Sequence, residues 1–599
     1  MTAPSPLLTS GSLCSFAIKS DGEPIDSTFQ VVSIDVWNAL NKVPKAQIVL
    51  YDGSAAESDF AISSGPTFIP GRKIEIAAGY DGKNSTIFKG VVQSQGIEII
   101  RDGPSRLIVD VTDEAIKMTL ERKNALFEKI TDGDLIGKLI SANGLAKEVA
   151  ATNTVNEAVV QYYASDWDLM LTRAQINGLV VSVNAGKVTV KAPDNTQSPV
   201  LAIEYGDSIF DLQAGIDAAS QLASSAITSY AWDPDTQKLA DSGAGPVKVT
   251  EQGDLSSAEL AKVFNVKKFA QQTGAPIEKT ALKDWSSAEL LKSKLAKIRG
   301  QVSFQGSALA QAGKTVALGG LGSRFNGNAY LSAIHHSITD GDWISTAAFG
   351  LSDQWFAAQA PEIAAPGASG QLPPVKGLQT GLVKKVAADP GGEFRVLVSL
   401  PLLQDDAKGV WARLGTFYAS NKIGAVFYPE VGDEVVVGFM NEDPRYAIIL
   451  GSVYSKKLAP PVPPDEKNSK KLLMTRSKLE ISFDEEGKII EIRTPGNQSI
   501  KLDDKGKSIT ILDSNKNSVT LSNSGITIES ASNISMSAKG NIAIDAKGNL
   551  KLSAAANATM EGLQVAHTAK TKFSAQGTAQ AEVKASGMLT LQGAMVKIN

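Results

Sequence analysis

The chain has 599 residues, 43% hydrophobic and 20% charged, with 59 Lys or Arg against 63 Asp or Glu. That length suggests about three to five domains, and the near-balanced charge disfavours a general nucleic-acid binder, which needs a cationic face. A single cysteine, Cys14, excludes an intrachain disulfide framework and a cysteine-based zinc site, and only His335, His336 and His567 are there to build a histidine site.

No apolar run approaches the roughly 18 residues of a membrane span. Residues 1–15 have no basic start or long apolar core, so no Sec-type signal peptide is read. Folding in the cytoplasm is the expectation, with any exit by another route.

Residues 1–365 read as mixed α+β. Residues 72–79 and 106–111 alternate apolar and polar, the mark of half-buried strands. Tyr80-Asp81-Gly82-Lys83 supplies turn chemistry. Asp132 is the expected cap of a helix carrying Leu135, Ile136, Leu139 and Ile140, with Gly144 past its end. Ser165 is the expected cap of a second helix stopped by Gly178. Two segments echo one another, DLSSAEL at 254–260 and DWSSAEL at 284–290. Ser256/Glu259 and Ser286/Glu289 have capping-box spacing, so two capped helix starts are expected rather than a duplicated partner motif.

Residues 358–377 and 458–471 are rich in Pro with Ala or Lys and read as linkers. Between them, 376–457 is strand-rich, and several short strands in about 80 residues suggest a small β-barrel of the OB type. Nine basic and nine acidic residues between 376 and 456 cancel, whereas a single-strand binder carries a cationic groove.

From Leu479 onward, apolar pairs at i and i+2 recur. They start every nine to eleven residues at first, then every eight from Ile526 to Ala558 and again from Val565 to Leu589. Gly540, Gly548 and Gly587 fall in the gaps, and the segment has no Trp or Tyr. Short strands at fixed spacing are the signature of repetitive β-structure. Residues i and i+2 point the same way, so each repeat offers only about two apolar side chains to one side. A lone chain of this kind buries too little to offset about 1–2 kcal/mol per residue of backbone ordering. An eight-residue period is also too short for one chain to close a solenoid coil, which takes about 20 residues or more. Three copies wrapped round one axis solve both problems, with Ile534, Ile542, Ile544, Leu550, Leu552, Phe573, Leu589 and Leu591 inward. Fifteen strands about 4.8 Å apart make a needle of roughly 70 Å, which has no pocket.

Several blocks resemble the VgrG-type spike proteins of contractile injection systems. They are PGRKIEIAAGYDGKNSTIFKGVV (70–92) with VTDEAIKMT (111–119), SDWDLMLTRAQINGLVV (165–181), LGSRFNGNAYLSAIHHSITDGDW (321–343), the long block 410–454, and the closing GAMVKIN (593–599). The resemblance implies a mainly β chain with an α+β hub. It would have two tube-like barrel halves in 1–365, the second including about 165–355. An OB-fold at 376–457 and an intertwined trimeric β-helical needle at 472–599 would follow. It further implies a homotrimer that joins a hexameric inner-tube protein and baseplate proteins. A PAAR-type tip protein would cap the needle, and the machine would carry effector cargo into a target cell or outside the producer. The linker at 458–471 is too short to hold a lysozyme domain, and the chain ends right after the needle. A non-enzymatic spike without cofactor is therefore the expectation. The alternative is a β-helical tailspike with polysaccharide-degrading or receptor-binding activity. The missing Trp and Tyr platforms speak against the enzyme.

His335-His336 is read as structural, because neighbours on a strand face opposite ways. Cys14 is read as an ordinary semi-buried residue. Asp102, Asp405 and Asp406 are read as turn residues. His567 is in phase with the inward stripe, so three copies would converge on the axis, where an ion site is a minority expectation.

Overall fold

The computed structural model describes residues 3–7, 13–360, 363–403 and 408–598. They fall into two compact units divided after Val453.

The first unit is organised by one 13-stranded sheet. Its path runs Ile209–Ile216, Ile298–Gln305, Asp342–Phe349, Gly327–Thr339, Val31–Ala39, Lys45–Tyr51, Arg106–Thr112, Lys83–Glu98, Lys73–Tyr80, Cys14–Ser20 and Glu23–Pro24, and two further strands, Thr315–Gly319 on Gly327–Thr339 and Ala202–Glu204 beside it, lie off this path. The sheet has an early-sequence half and a late-sequence half, and they meet where Val36 opposes His336. Each half has its own core. Ile34, Ile48, Leu50, Phe68 and Ile76 fill one, and Val302, Phe304, Leu331 and Phe349 fill the other. The alternation at 72–79 and 106–111 is observed as strands with every second residue buried. Asp81 (φ 53°) and Gly82 (φ 72°) are both left-handed between Tyr80 and Lys83. That is the primed turn that a twisted two-residue hairpin requires.

Two inserts leave the sheet. The first contains helices Asp132–Ala142 and Asp166–Ile176 over a core of Ile136, Ile140, Met170 and Val190. The segment 165–181 thus packs in this insert, and the late half of the large sheet begins after it. Ser165 caps its helix by accepting from Asp168 N at 3.0 Å. Asp132 does not cap: Thr131 does, accepting from Asp134 N at 3.2 Å. Asp132 is the first helical residue, and its carboxylate is taken by Arg173. The second insert carries helices Ser257–Phe264 and Lys279–Leu295. Ser256/Glu259 forms a complete capping box. Ser286/Glu289 does not, because it lies inside a 17-residue helix. There Ser286 is fully buried and meets Ser229 Oγ at 2.7 Å. The echo therefore marks two unlike environments.

The unit ends in a closed five-stranded barrel made by Gln379–Lys385, Val396–Ser399, Val410–Leu414, Glu434–Phe439 and Ala447–Ser452. Its third and fifth strands pair parallel (Ala412↔Ala447), and the other ladders are antiparallel. Val383, Val396, Val398, Val437 and Ile449 fill it. Part of the first linker is structured. Residues 367–375 lie on the barrel loop through Val375 N to Glu442 O (2.9 Å) and Asn441 Nδ2 to Ser369 Oγ (3.2 Å).

In the second unit, seven strands from Lys470–Met474 to Gly525–Glu529 form an antiparallel meander in sequence order. The tight turns have local causes. Asp484 accepts from Gly487 N at 2.8 Å and Asp503 from Gly506 N at 2.6 Å. Lys488, Asn497, Lys507 and Lys516 are left-handed. From residue 530 to 598 the chain forms no strand ladder with itself.

Candidate assembly surfaces

The meander has one polar and one apolar face, because side chains alternate along each strand. The polar face holds ion pairs such as Arg493–Glu480 (3.1 Å) and Lys501–Asp503 (2.9 Å). The apolar face is two parallel columns. One runs Leu473, Ile481, Ile492, Ile500, Ile511, Val519, Ile528; the other runs Phe483, Ile490, Leu502, Ile509, Leu521, Ile526. Each residue opposes the next in its column across a ladder, so the stripe is continuous. No described part of the unit covers it: Ile481 is 39% exposed, Ile492 45% and Ile528 59%. Shallow hollows of about 660 and 610 Å³ lie on this face. A monomeric surface rarely leaves so large an apolar stripe uncovered.

The following segment lacks even a ladder. Ile534, Ile542, Ile544, Leu550, Leu552, Phe573, Leu589 and Leu591 are all exposed. His567 is exposed too, its ring 6.1 Å from that of Phe573. Among the described residues no group of three metal-ligating side chains comes together.

A second apolar surface was overlooked in the sequence. On the barrel, Phe394, Phe417, Val426 and Phe427 project from loops, with Phe417 88% exposed. The available signal was the cluster of aromatic and aliphatic residues around the turn Asn421-Lys422 in GTFYASNKIGAVFY (415–428), which no strand period explains.

His335 and His336 in the first unit are structural in their contacts. His335 Nε2 lies 2.8 Å from Asp35 Oδ1, and its ring stacks on Trp37 at 5.0 Å. That bond outweighs burial and holds the Asp35 carboxyl below its ordinary range. His336 faces the other way and is buried. Its Nδ1 accepts from Trp343 Nε1 (3.3 Å) and lies 2.8 Å from Ser345 Oγ. Burial first, and the neighbouring His335 second, push its pKa down to about 3, so the ring is neutral. Lys292 was not singled out in the sequence. Its ammonium is enclosed without a hydrogen-bond partner, 3.9 Å over the Trp355 ring, and burial lowers its pKa to about 8. Cys14 is half-buried, and burial raises its thiol. Asp102 sits in an exposed turn. Asp405 and Asp406 lie outside the described residues.

Taken with the family matches that follow, a two-halved antiparallel sheet, a closed five-stranded barrel and a repetitive β-segment with an uncovered apolar stripe mark the chain as a spike component of the VgrG type. Comparison with known proteins carries the assignment further. Residues 10–340 match the family described as Alg8 N-terminal domain. Residues 379–454 match the type VI secretion system/phage-baseplate injector OB domain, and 489–551 the phage baseplate V C-terminal trimerisation domain. The first match covers more than half of the chain, and the chain belongs to that Alg8 N-terminal domain family.

Among curated proteins, the actin cross-linking toxin VgrG1 of Vibrio cholerae serotype O1 is 31% identical over 81 residues, or 14% of this chain and 7% of the toxin. The match thus spans a small part of that relative. The 43 kDa tail protein of prophage MuSo2 from Shewanella oneidensis is 9% identical, over 57% of this chain and 99% of that one, with a TM-score of 0.42. The Francisella PdpA-VgrG complex, half-lidded, gives 10% identity over 87% and 88%, with a TM-score of 0.34.

Proposed function

We propose that the protein is a non-enzymatic central spike that works as a homotrimer. The observation that carries this reading is the unsatisfied second unit, with its two apolar columns over 470–529 and its ladder-free segment 530–598. Burying a large aliphatic side chain contributes about 1.5–3 kcal/mol. Each chain offers thirteen such residues in the columns, at least a third exposed apart from Val519. Joining them across copies gains on the order of 10 kcal/mol per chain, enough to outweigh the ordering cost of association. In the ladder-free segment, strands from three chains supply one another's backbone partners and bring the eight inward residues to the axis. The result is a rod hydrogen-bonded throughout, which resists compression without a catalytic cleft.

In this reading the trimer joins a hexameric inner-tube protein, because each chain brings two similar sheet halves and three chains bring six. Baseplate proteins surround it, and a PAAR-type tip protein caps the needle. The chain is made in the cytoplasm, built into the particle, and driven through the target membrane with any effector cargo when the sheath contracts. The mass of the purified protein in solution tests the core of this. A species of three times 63.0 kDa is expected; a stable monomer with a protected second unit would end the reading. Depolymerisation of a polysaccharide by the purified protein would replace it with the tailspike alternative.

A further inference from the structure

The first insert contains a repeat of another kind. Thr131-Asp132-Gly133-Asp134-Leu135 is answered by Ser165-Asp166-Trp167-Asp168-Leu169, and Asn143-Gly144-Leu145 by Asn177-Gly178-Leu179. Each residue lies thirty-four positions after its counterpart. The backbone repeats at the same offset. Lys129 (φ 47°) and Tyr163 (φ 46°) are both left-handed, two residues before the caps Thr131 and Ser165. The helices end at Asn143 (φ −95°, ψ 8°) and Asn177 (φ −95°, ψ 7°), followed by Gly144 (φ 70°) and Gly178 (φ 68°). A strand precedes each helix (Arg122–Thr131 and Val155–Ser165) and another follows it (Ala146–Val149 and Val180–Asn184).

The two leading strands pair antiparallel, and Leu126 opposes Val160, which is its own counterpart thirty-four residues on. An approximate local two-fold axis passes through that pair, with a bulge between Gln161 and Ala164 shifting one end of the ladder by a residue. Common capping chemistry explains a Ser or Thr at one helix end and Asn-Gly at the other. It does not explain matching left-handed residues in the strands, or an axis pair that joins equivalent positions.

Across the axis the helices hold each other by exchange. Asn143 Nδ2 donates to Leu139 O at 2.9 Å and to Asp166 Oδ2 at 2.8 Å. Asn177 Nδ2 donates to Arg173 O at 2.9 Å and to Asp132 Oδ2 at 2.8 Å. The end of each helix is thus tied to the first residue of the other, and both carboxylates are buried. The other partners differ: Arg173 grips Asp132 at 2.7 and 2.9 Å with Asn156 Nδ2 at 3.2 Å, whereas Lys123 serves Asp166 at 2.7 Å with Gln161 Nε2 at 2.9 Å.

We propose that residues 122–184 are a tandem duplication of one strand–helix–strand unit, closed by this reciprocal Asn–Asp clasp into a brace that opens only as a whole. An isolated 11-residue helix is marginal in water, and so is an isolated two-stranded ribbon. Each unit therefore depends on the other. Removing one asparagine strips a buried carboxylate on the opposite helix of a donor.

Hydrogen exchange of the full chain tests the clasp, with Asn143→Ala, Asn177→Ala and the double variant. Each single substitution is expected to speed exchange about tenfold or more in both helices. The double variant should add little to either single. Acceleration confined to the helix that carries the substitution, or a double effect equal to the product of the singles, would overturn the proposal. Should Asn143→Ala prevent folding, Asn143→Ser, which keeps a short donor, replaces it under the same criteria. Exchanging the caps (Thr131→Ser with Ser165→Thr) should leave both helices unchanged. A rise in one alone would refute the equivalence of the two units.

Discussion

Ile542→Asp puts the trimeric needle to a direct test. Ile542 is 53% exposed in the single chain, so assembly has roughly half of an isoleucine left to bury, or about 1 kcal/mol per chain. Aspartate forfeits that and places three carboxylates at one level of the axis, at several kcal/mol per buried ion. The total is on the order of 10 kcal/mol per trimer, comparable with the whole stability of an ordinary domain. Ile542→Leu keeps volume and polarity and should cost under about 1.5 kcal/mol. Trypsin reads the difference, because Lys539 and Lys547 flank the site. Both lysines should resist cleavage in wild type and Ile542→Leu and be cut rapidly in Ile542→Asp. Solution mass should fall, or the particle should aggregate through its open strand edges. Acid should partly restore protection, since crowding of like charges raises carboxyl pKa values and protonation removes the repulsion. Equal protection and equal mass for all three proteins would refute the inward facing of Ile542.

Other outcomes follow from single contacts. A Cβ on Gly306 would stand 2.1 Å from the Trp343 ring, so Gly306→Ala should destabilise the first unit by about 1–3 kcal/mol in calorimetry. An unchanged transition would mean that Trp343 shifts freely. His336 is neutral when folded and titrates at an ordinary 6.5 when unfolded. Its contribution is complete above pH 6.5 and is lost as pH falls toward about 3, at no more than about 1.4 kcal/mol per pH unit. His336→Gln should flatten that part of the stability–pH profile, and a profile identical to wild type would show that the ring does not titrate on unfolding. His567→Ala should leave the solution mass unchanged, and elemental analysis of the wild-type protein should find no stoichiometric metal. One metal per three chains would instead establish an axial ion.

The strands and the barrel were legible because their signals are local. Alternation at 72–79, turn chemistry at Asp81-Gly82 and the valine runs of the barrel each decide a few residues independently of the rest. Helix ends were less so. Thr131 and Asp132 are both good caps in isolation, and the choice fell to Thr131 because Arg173, distant in sequence, claims the Asp132 carboxylate. DWSSAEL failed as a helix start for a related reason. Buried partners Ser229 and Gln271 draw Ser286 and Glu289 into the middle of a long helix. The thirty-four-residue repeat was written as plainly, but its identities are thin and scattered, and only the matching backbone angles make it stand out. The pairing of Val31–Ala39 with Gly327–Thr339 joins strands about 300 residues apart, which no periodicity reveals.

The period of the apolar pairs changes within residues 479–598, and the backbone changes with it. Where the apolar pairs recur at nine to eleven residues, the five-residue strands from Met474 to Ser518 are separated by turns of four or five residues. The chain then doubles back and satisfies its own ladder, as between Asp484 and Ile489. Where they recur at eight, no intrachain ladder forms among the described residues, although two residues between Ser522 and Gly525 are enough to reverse the chain. An even period also keeps every pair on the same side of an extended chain. A chain that does not reverse and keeps facing one way can progress along an axis, turning a corner at each gap. Gly540, Gly548 and Gly587 lie in those gaps with open space where a side chain would be. On the trimeric reading, the meander is the part each chain can form alone. Three preformed sheets set the register in which the ladder-free strands then interlock, so damage to the meander should delay assembly while damage beyond Ile526 should block its completion.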